Sequence, residues 1–161
     1  MRDFYLQRRE AELPAFLRVL RAIPADRMDY KPHERSPSAE QLVLTLTGEL
    51  KSCVDAARSH RAQWEAVSPR PLPELIEMFE GWYRDLSKAV AAMSDESWNQ
   101  TADFYYNGKL VSQQPVSQFL WFIHFDAIHH RGQLSTYLRP MGARVPAIYG
   151  PSADERPAPP T

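Results

Sequence analysis

Fourteen prolines lie along the 161 residues, and their placement limits where long helices can run. Proline lacks a backbone N–H and its ring clashes with the preceding turn, so helix interiors disfavour it while a first turn accepts it. Pro24 and Pro32 bracket a loop over residues 25–35. Ser36-Pro37 reads as a side-chain cap followed by proline at the first helical position. Pro69, Pro71 and Pro73 precede a third helical segment, Pro115 opens a fourth, and Pro140 with Gly142 closes it. The expected fold is all-α, a four-helix bundle whose first helix, about 3–23, is kinked by Pro14. Asn107-Gly108, inside the β-prone run Phe104–Val111, predicts a small β-hairpin between helices three and four, because both turn positions need positive φ. An irregular loop fits the same residues. From Pro140 onward six of 22 residues are proline, so residues 1–150 are expected to form one helical domain. Residues 151–161 should then be an extended proline-rich tail, disordered over its last few residues.

Apolar residues recur at helical spacing in each segment. Leu6, Leu13, Phe16, Leu17 and Leu20 mark the first; Leu42, Leu46, Leu50, Cys53 and Ala57 the second; Leu75, Ile76, Phe79, Trp82, Leu86 and Val90 the third. On the fourth, Phe119, Phe122, Ile123, Leu134 and Tyr137 share a face. At 100° per residue, polar groups fall into these stripes. Glu49 lies seven residues after Leu42 and four before Cys53, in the middle of its stripe. Asp126 and His130, one turn apart, sit at the centre of the helix-four face with Gln133 beside them. A carboxylate buried alone costs several kcal/mol, so it must pair, take a proton or bind a metal.

Glu49, Asp126 and His130 therefore form a candidate metal-ligand set. A carboxylate and an imidazole at i and i+4 can address one point, and a third ligand from a facing helix leaves coordination positions open. The same residues also fit a buried hydrogen-bonded network, in which a carboxylate holds a protonated His130 and Gln133 satisfies the remainder. His124 and His129 point elsewhere and read as packing or surface residues, and Cys53 as a small core residue. Trp121, Phe125 and Ile128 give helix four a second apolar face, as in a helix central to its bundle or one at a subunit interface; in a four-helix bundle the second reading fits better, so a homodimer is expected.

Composition narrows the function classes. Hydrophobic content of 43% and charged content of 24% are those of a folded globular chain. A formal net charge of −1 with no basic run gives nucleic acid no cationic footprint. No segment has the length and apolarity of a membrane span, and the polar N-terminus lacks a signal-peptide core. With Cys53 as the single cysteine, a cytoplasmic protein is expected. No phosphate-binding glycine loop, Cys-x-x-Cys pair or nucleophile elbow is present.

Helix four carries His129-His130-Arg131-Gly132-Gln133-Leu134, followed by Tyr137-Leu138-Arg139, Gly142 and Val145-Pro146. This pattern resembles the DinB-like superfamily, a damage-inducible group of metal-binding four-helix bundles. Ile148-Tyr149-Gly150-Pro151-Ser152 is similar to one of its branches, and Asp29-Tyr30-Lys31-Pro32-His33 extends the likeness ahead of helix two. The resemblance implies a four-helix bundle of DinB-like type that holds a divalent metal, zinc or nickel, through one histidine on helix two and two ligands on helix four. His130 matches the histidine of the motif and Asp126 the ligand one turn earlier. Thr45 stands where the family carries its helix-two histidine, and Glu49, one turn later, takes that place in the expected set.

The resemblance further implies thiol-dependent transferases and isomerases that act on small electrophiles with a low-molecular-weight thiol, or metal-dependent hydrolases. The expected function is a metal-dependent thiol transferase or hydrolase acting on a small-molecule substrate, with Gln133 and Tyr137 supporting the ligands and no catalytic base identified. The alternative is a non-catalytic, stress-associated small-molecule-binding protein in which the altered triad has lost the metal.

Overall fold

Long helices form where the prolines leave room. In the computed structural model, which describes residues 1–156, the elements are α1 (Arg2–Ala22), α2 (Ala39–Ser59), β1 (Arg61–Gln63), α3 (Leu72–Ala91), α4 (Asp95–Asn99), β2 (Thr101–Tyr106), β3 (Lys109–Pro115) and α5 (Val116–Leu138). The chain is mostly helical with a small sheet. Pro14 is accommodated inside α1. The start of α2 differs from expectation: Ser38 is the cap, not Ser36. The Ser38 hydroxyl accepts from the Gln41 N–H at 3.1 Å and the Gln41 side chain accepts from the Ser38 N–H at 2.8 Å. This reciprocal box satisfies two donors that Ser36-Pro37 could not reach together.

Two elements were not expected, so among the described residues five α-helices and three strands stand where four helices and a hairpin are predicted. The five-residue α4 is capped by Ser94, whose hydroxyl accepts from the Ser97 N–H at 3.1 Å. Strand β1 follows His60, which closes α2 in the left-handed conformation at φ 54°. It pairs parallel to β2, while β2 pairs antiparallel to β3, so the sheet order is β1-β2-β3. Asn107 and Gly108 take φ of 48° and 73° between β2 and β3, the backbone that a two-residue turn needs. Phe104 anchors the sheet on α5 through Phe119, with ring centroids 5.3 Å apart.

The core lies among α1, α2, α3 and α5, with Phe16, Leu42, Leu46, Leu75, Phe79, Leu86, Leu120 and Leu134 fully buried. Gly48 matters to the packing of α2. A Cβ there would meet the Trp64 ring at 3.1 Å and the Glu65 carbonyl at 3.3 Å, so glycine lets the segment after β1 lie against the helix.

On two helices the buried face is rotated from the expected stripe: Phe16, Leu17 and Leu20 on α1 and Phe119, Leu134 and Tyr137 on α5 are buried as expected, but polar residues share those faces. On α1 the buried positions include Tyr5, Arg9, Glu12 and Phe16. On α5 they include Leu120, His124, Ala127, Arg131, Leu134 and Leu138. Phe122, expected inside, is 62% exposed. Of the second face expected on α5, Trp121 and Ile128 pack partly against the core and only Phe125 points out.

Residues 151–156 fold back onto the helices. The Asp154 carboxylate accepts from the Val145 N–H at 2.9 Å and from Arg139 at 2.8 Å, and Glu155 pairs with Arg18. The disorder expected at the extreme C-terminus falls on residues 157–161, outside the described residues.

Candidate metal centre

The helix that presents Glu49 owes its position to the leucines on either side. Leu42, Leu46, Leu50 and Cys53 are buried, and Glu49, on the same side of α2, is 4% exposed. Across from it, α5 turns Asp126 and His130 toward the groove between α5 and α2. They are not at the centre of the buried face of α5, as expected, but on its edge. The His130 side chain is 19% exposed and that of Asp126 39%. Glu49 is thus the floor of the site and Asp126 its mouth.

The three residues converge. One ligand atom from each of Glu49, Asp126 and His130 lies within 4.8 Å of the other two. His130 Nε2 is 3.5 Å from Glu49 Oε1 and 3.7 Å from Asp126 Oδ2. The other imidazole nitrogen, Nδ1, lies 2.9 Å from Gln133 Oε1. An amide oxygen accepts, so Nδ1 carries the proton and Nε2 is the atom aimed into the cluster. Gln133 therefore fixes the tautomer of His130. Tyr137 does not touch the triad: its hydroxyl donates to the Pro37 carbonyl at 3.1 Å, and its ring meets Tyr30 edge-on. It fixes the loop ahead of α2 instead.

The electrostatics follow from burial. Losing water pushes the Glu49 carboxyl up to about 7, against a weaker opposing pull from His130. The Glu49 carboxylate, outweighing partial burial, pushes His130 up to about 9. Near neutral pH the cluster therefore holds a proton between a buried carboxylate and an imidazole. Glu49 Oε2 is buried and has no hydrogen-bond partner. An orphaned carboxylate oxygen inside a protein is costly, and a proton or a bound cation would answer it. Two carboxylate oxygens and one imidazole nitrogen form a donor set suited to a divalent first-row ion. The residues present fit a metal.

Along α2 an open cleft of about 660 Å³ is lined by Lys31, Arg35, Gln41, Thr45 and Trp64 among others, and none of the three triad residues lines it. Thr45 lies one turn before Glu49, about 6 Å along the helix axis. The remaining candidates behave as packing residues. His124 is buried edge-on against Tyr5, with ring centroids 5.7 Å apart, and loss of water pushes it down to about 4. His129 is exposed, and burial pushes the Cys53 thiol far above its ordinary value.

A second buried polar cluster escaped the sequence reading. Glu12, on α1, accepts from Arg131 on α5 at 2.6 Å and from the Tyr149 hydroxyl at 2.8 Å. Burial would raise the Glu12 carboxyl, but these two hydrogen bonds and the charges of Arg131 and Arg8 outweigh it and hold the group low. Arg9 is buried beside it, 3.7 Å over the Tyr83 ring, and donates to the Tyr83 carbonyl at 2.8 Å. The spacing Tyr5, Arg9, Glu12, Phe16 was the available signal, since it alternates four and three residues as a buried helix face does. In the His129–Leu134 motif, then, His130 and Gln133 serve the site while Arg131 serves the core.

The sequence model of the DinB family matches residues 4–159. The chain belongs to the DinB family. The uncharacterized protein YrdA of Bacillus subtilis is 28% identical over 85 residues, 53% of this chain and 51% of that protein, so the match spans about half of the relative's length. A DinB-like protein from Bacillus subtilis has the same fold at TM-score 0.72 and 19% identity, covering 89% of this chain and 96% of that one. The mycothiol-dependent maleylpyruvate isomerase is similar over 91% of this chain and 65% of its own, at TM-score 0.56 and 14% identity. These structural likenesses speak to the fold. Among the described residues no helix is long and apolar enough to cross a membrane.

Proposed function

We propose that this DinB-family chain is a metal-dependent enzyme that uses a low-molecular-weight thiol to transform a small electrophile, with Glu49, Asp126 and His130 holding a divalent ion such as zinc or nickel. The observation that carries the proposal is the convergence of three ligand atoms from two helices on one point, with Glu49 Oε2 left unpartnered there. The similarity to an isomerase whose name includes a thiol cofactor supports the choice of thiol chemistry. Bound at this point, a divalent ion supplies concentrated positive charge that acidifies a thiol and polarises an electrophile.

The chain's own residues divide the work. Gln133 holds the His130 tautomer, and Glu49 brings negative charge to the buried end of the site. Asp126 stands where solvent and small molecules enter. The cleft beside Thr45 and Trp64 gives a small substrate a place to lie against α2, and Tyr137 steadies the Pro37 rim of that cleft. The four long helices act as a rigid bundle that fixes these positions, and the reaction belongs in the cytoplasm, where thiols stay reduced.

The Glu49–His130 pairing favours one rival reading: a small-molecule-binding protein whose triad is satisfied by a shared proton. Consumption of a chromogenic aryl halide, with and without added thiol and zinc, separates the two. Thiol- and zinc-dependent turnover that is lost in His130→Ala supports the enzyme. Turnover at the uncatalysed rate in zinc-loaded protein, across a panel of low-molecular-weight thiols, supports the binding protein.

A further inference from the structure

Four residues of full formal charge are buried among the described residues: Arg9, Arg131, Glu12 and Glu49. Glu12 and Arg131 pair directly at 2.6 Å. The other two do not touch each other. Arg9 forms no ion pair among the described residues; its Nε and Nη2 donate to the Ser87 hydroxyl at 3.4 Å and the Tyr83 carbonyl at 2.8 Å. Its Nη1 takes part in neither bond. Glu49 has the partly exposed His130 on one side, and its Oε2 has no partner. A buried guanidinium without an anion and a buried carboxylate with a free oxygen are each costly.

Both groups border one space. An enclosed cavity of about 10 Å³ lies among α1, α2, α3 and α5, with Tyr5, Arg9, Glu49, Cys53, Tyr83 and His124 on its walls. Each of these six is at most 4% exposed, so the cavity is internal. Glu49 is the residue that belongs both to this cavity and to the triad with Asp126 and His130.

We propose that the cavity is a binding site for one water molecule that bridges Arg9 to Glu49, and that Arg9 thereby positions the floor of the candidate metal centre from behind. The room is that of a single water, which needs about 10–15 Å³ of such space and two to four polar partners. The bonding is directional. The water oxygen accepts from an Arg9 N–H, and its hydrogens go to acceptors, the Glu49 carboxylate first among them. A carboxylate has about four lone-pair sites, so one ligand in front and a water behind are compatible. Two hydrogen bonds of roughly 2.9 Å meeting at a water span about 5 Å, which suits opposite charges that share a cavity without forming an ion pair. His124 adds a ring nitrogen without adding charge, since loss of water pushes it down to about 4. Cys53 reports both charges: burial pushes its thiol up most, Arg9 pulls it down and Glu49 pushes it up. That Glu49 serves as a metal ligand rests on the proposed function; the water and the link to Arg9 do not.

Two measurements on metal-free protein at pH 8, with chelator present, test the proposal independently of zinc. Magnetic relaxation dispersion of the solvent counts long-lived internal waters. The wild type should hold one more than Cys53→Val, whose added carbon takes roughly the 30 Å³ that a water occupies. Equal counts overturn the water site. Urea unfolding then tests the bridge by a double-mutant cycle of Arg9→Met and Glu49→Gln. Each single change strands the opposite charge and the double change strands neither. The double variant should therefore be at least fivefold more stable, in its folding equilibrium constant, than the two single losses predict. If Arg9 only packs on Tyr83, its loss is the same in both backgrounds, and additive losses overturn the bridge. The water count needs no change at Arg9, so it decides even where Arg9→Met fails to fold.

Discussion

If an ion is to bind His130 Nε2, it must first displace the proton that Glu49 stabilises there, so metal uptake should depend steeply on pH. His130 is pushed up to about 9 and Glu49 up to about 7. At pH 7 the imidazole is two pKa units below its midpoint, which weakens apparent affinity about 100-fold, or roughly 2.7 kcal/mol. At pH 8 the handicap falls to about tenfold, and Glu49 adds a further factor of about two at pH 7. The assay is calorimetric zinc titration of chelator-treated protein between pH 6.5 and 8.5, in two buffers of different ionisation enthalpy. Zinc affinity should rise roughly 10- to 20-fold from pH 7 to pH 8, with about 1.5 protons released per ion at pH 7 and about one at pH 8. The metal-free protein should show the converse. Both groups hold protons more tightly in the folded state than in the unfolded one. The His130 contribution is complete below about 6.5 and is lost as pH rises through about 9; the Glu49 contribution is complete below about 4.5 and lost through about 7. Chelated protein should therefore melt at lower temperature at pH 9 than at pH 6.5. Zinc affinity that is flat over this range, with no proton released, would refute the reasoning.

Two substitutions test other parts of the structure. Glu12→Ala leaves the Arg131 guanidinium buried without its carboxylate and should cost about 3–5 kcal/mol in urea unfolding; Glu12→Leu/Arg131→Met removes both charges and should recover most of that loss. Thr45→His places an imidazole one turn before Glu49 on α2, and it should raise zinc affinity at least tenfold in calorimetry if the cleft wall turns it toward the triad.

What was legible in the sequence depended on how strongly each residue's neighbours constrained it. Pro115 and Pro140 bounded α5 to within two residues, because a proline excludes the helix interior whatever surrounds it. The residues of the site were legible because Glu49 stands among leucines, where its charge contradicts the pattern. The α5 side was less clear, since that helix is apolar on opposite faces. Phe122 belongs to the outer face, and counting it with the inner one shifts Asp126 and His130 from the edge of the buried face to its centre. Arg9, Glu12 and Arg131 were missed for a related reason. Glu12 and Arg131 lie 119 residues apart along the chain, and Arg9 reaches Tyr83 and Ser87 across 74 and 78, so no local pattern shows that these buried groups meet. β1 and α4 are too short to carry a period and depend on Ser94 and on the left-handed His60.

The most direct test of the central claim is the metal content of the protein after incubation with one equivalent of zinc at pH 8 and removal of the free ion. Elemental analysis should find close to one ion per chain in the wild type. Neither His130→Ala nor Glu49→Gln should retain it, while His129→Ala, which alters no residue of the triad, should still bind. A wild type that retains no zinc, or a His130→Ala variant that retains as much as the wild type, would contradict the account.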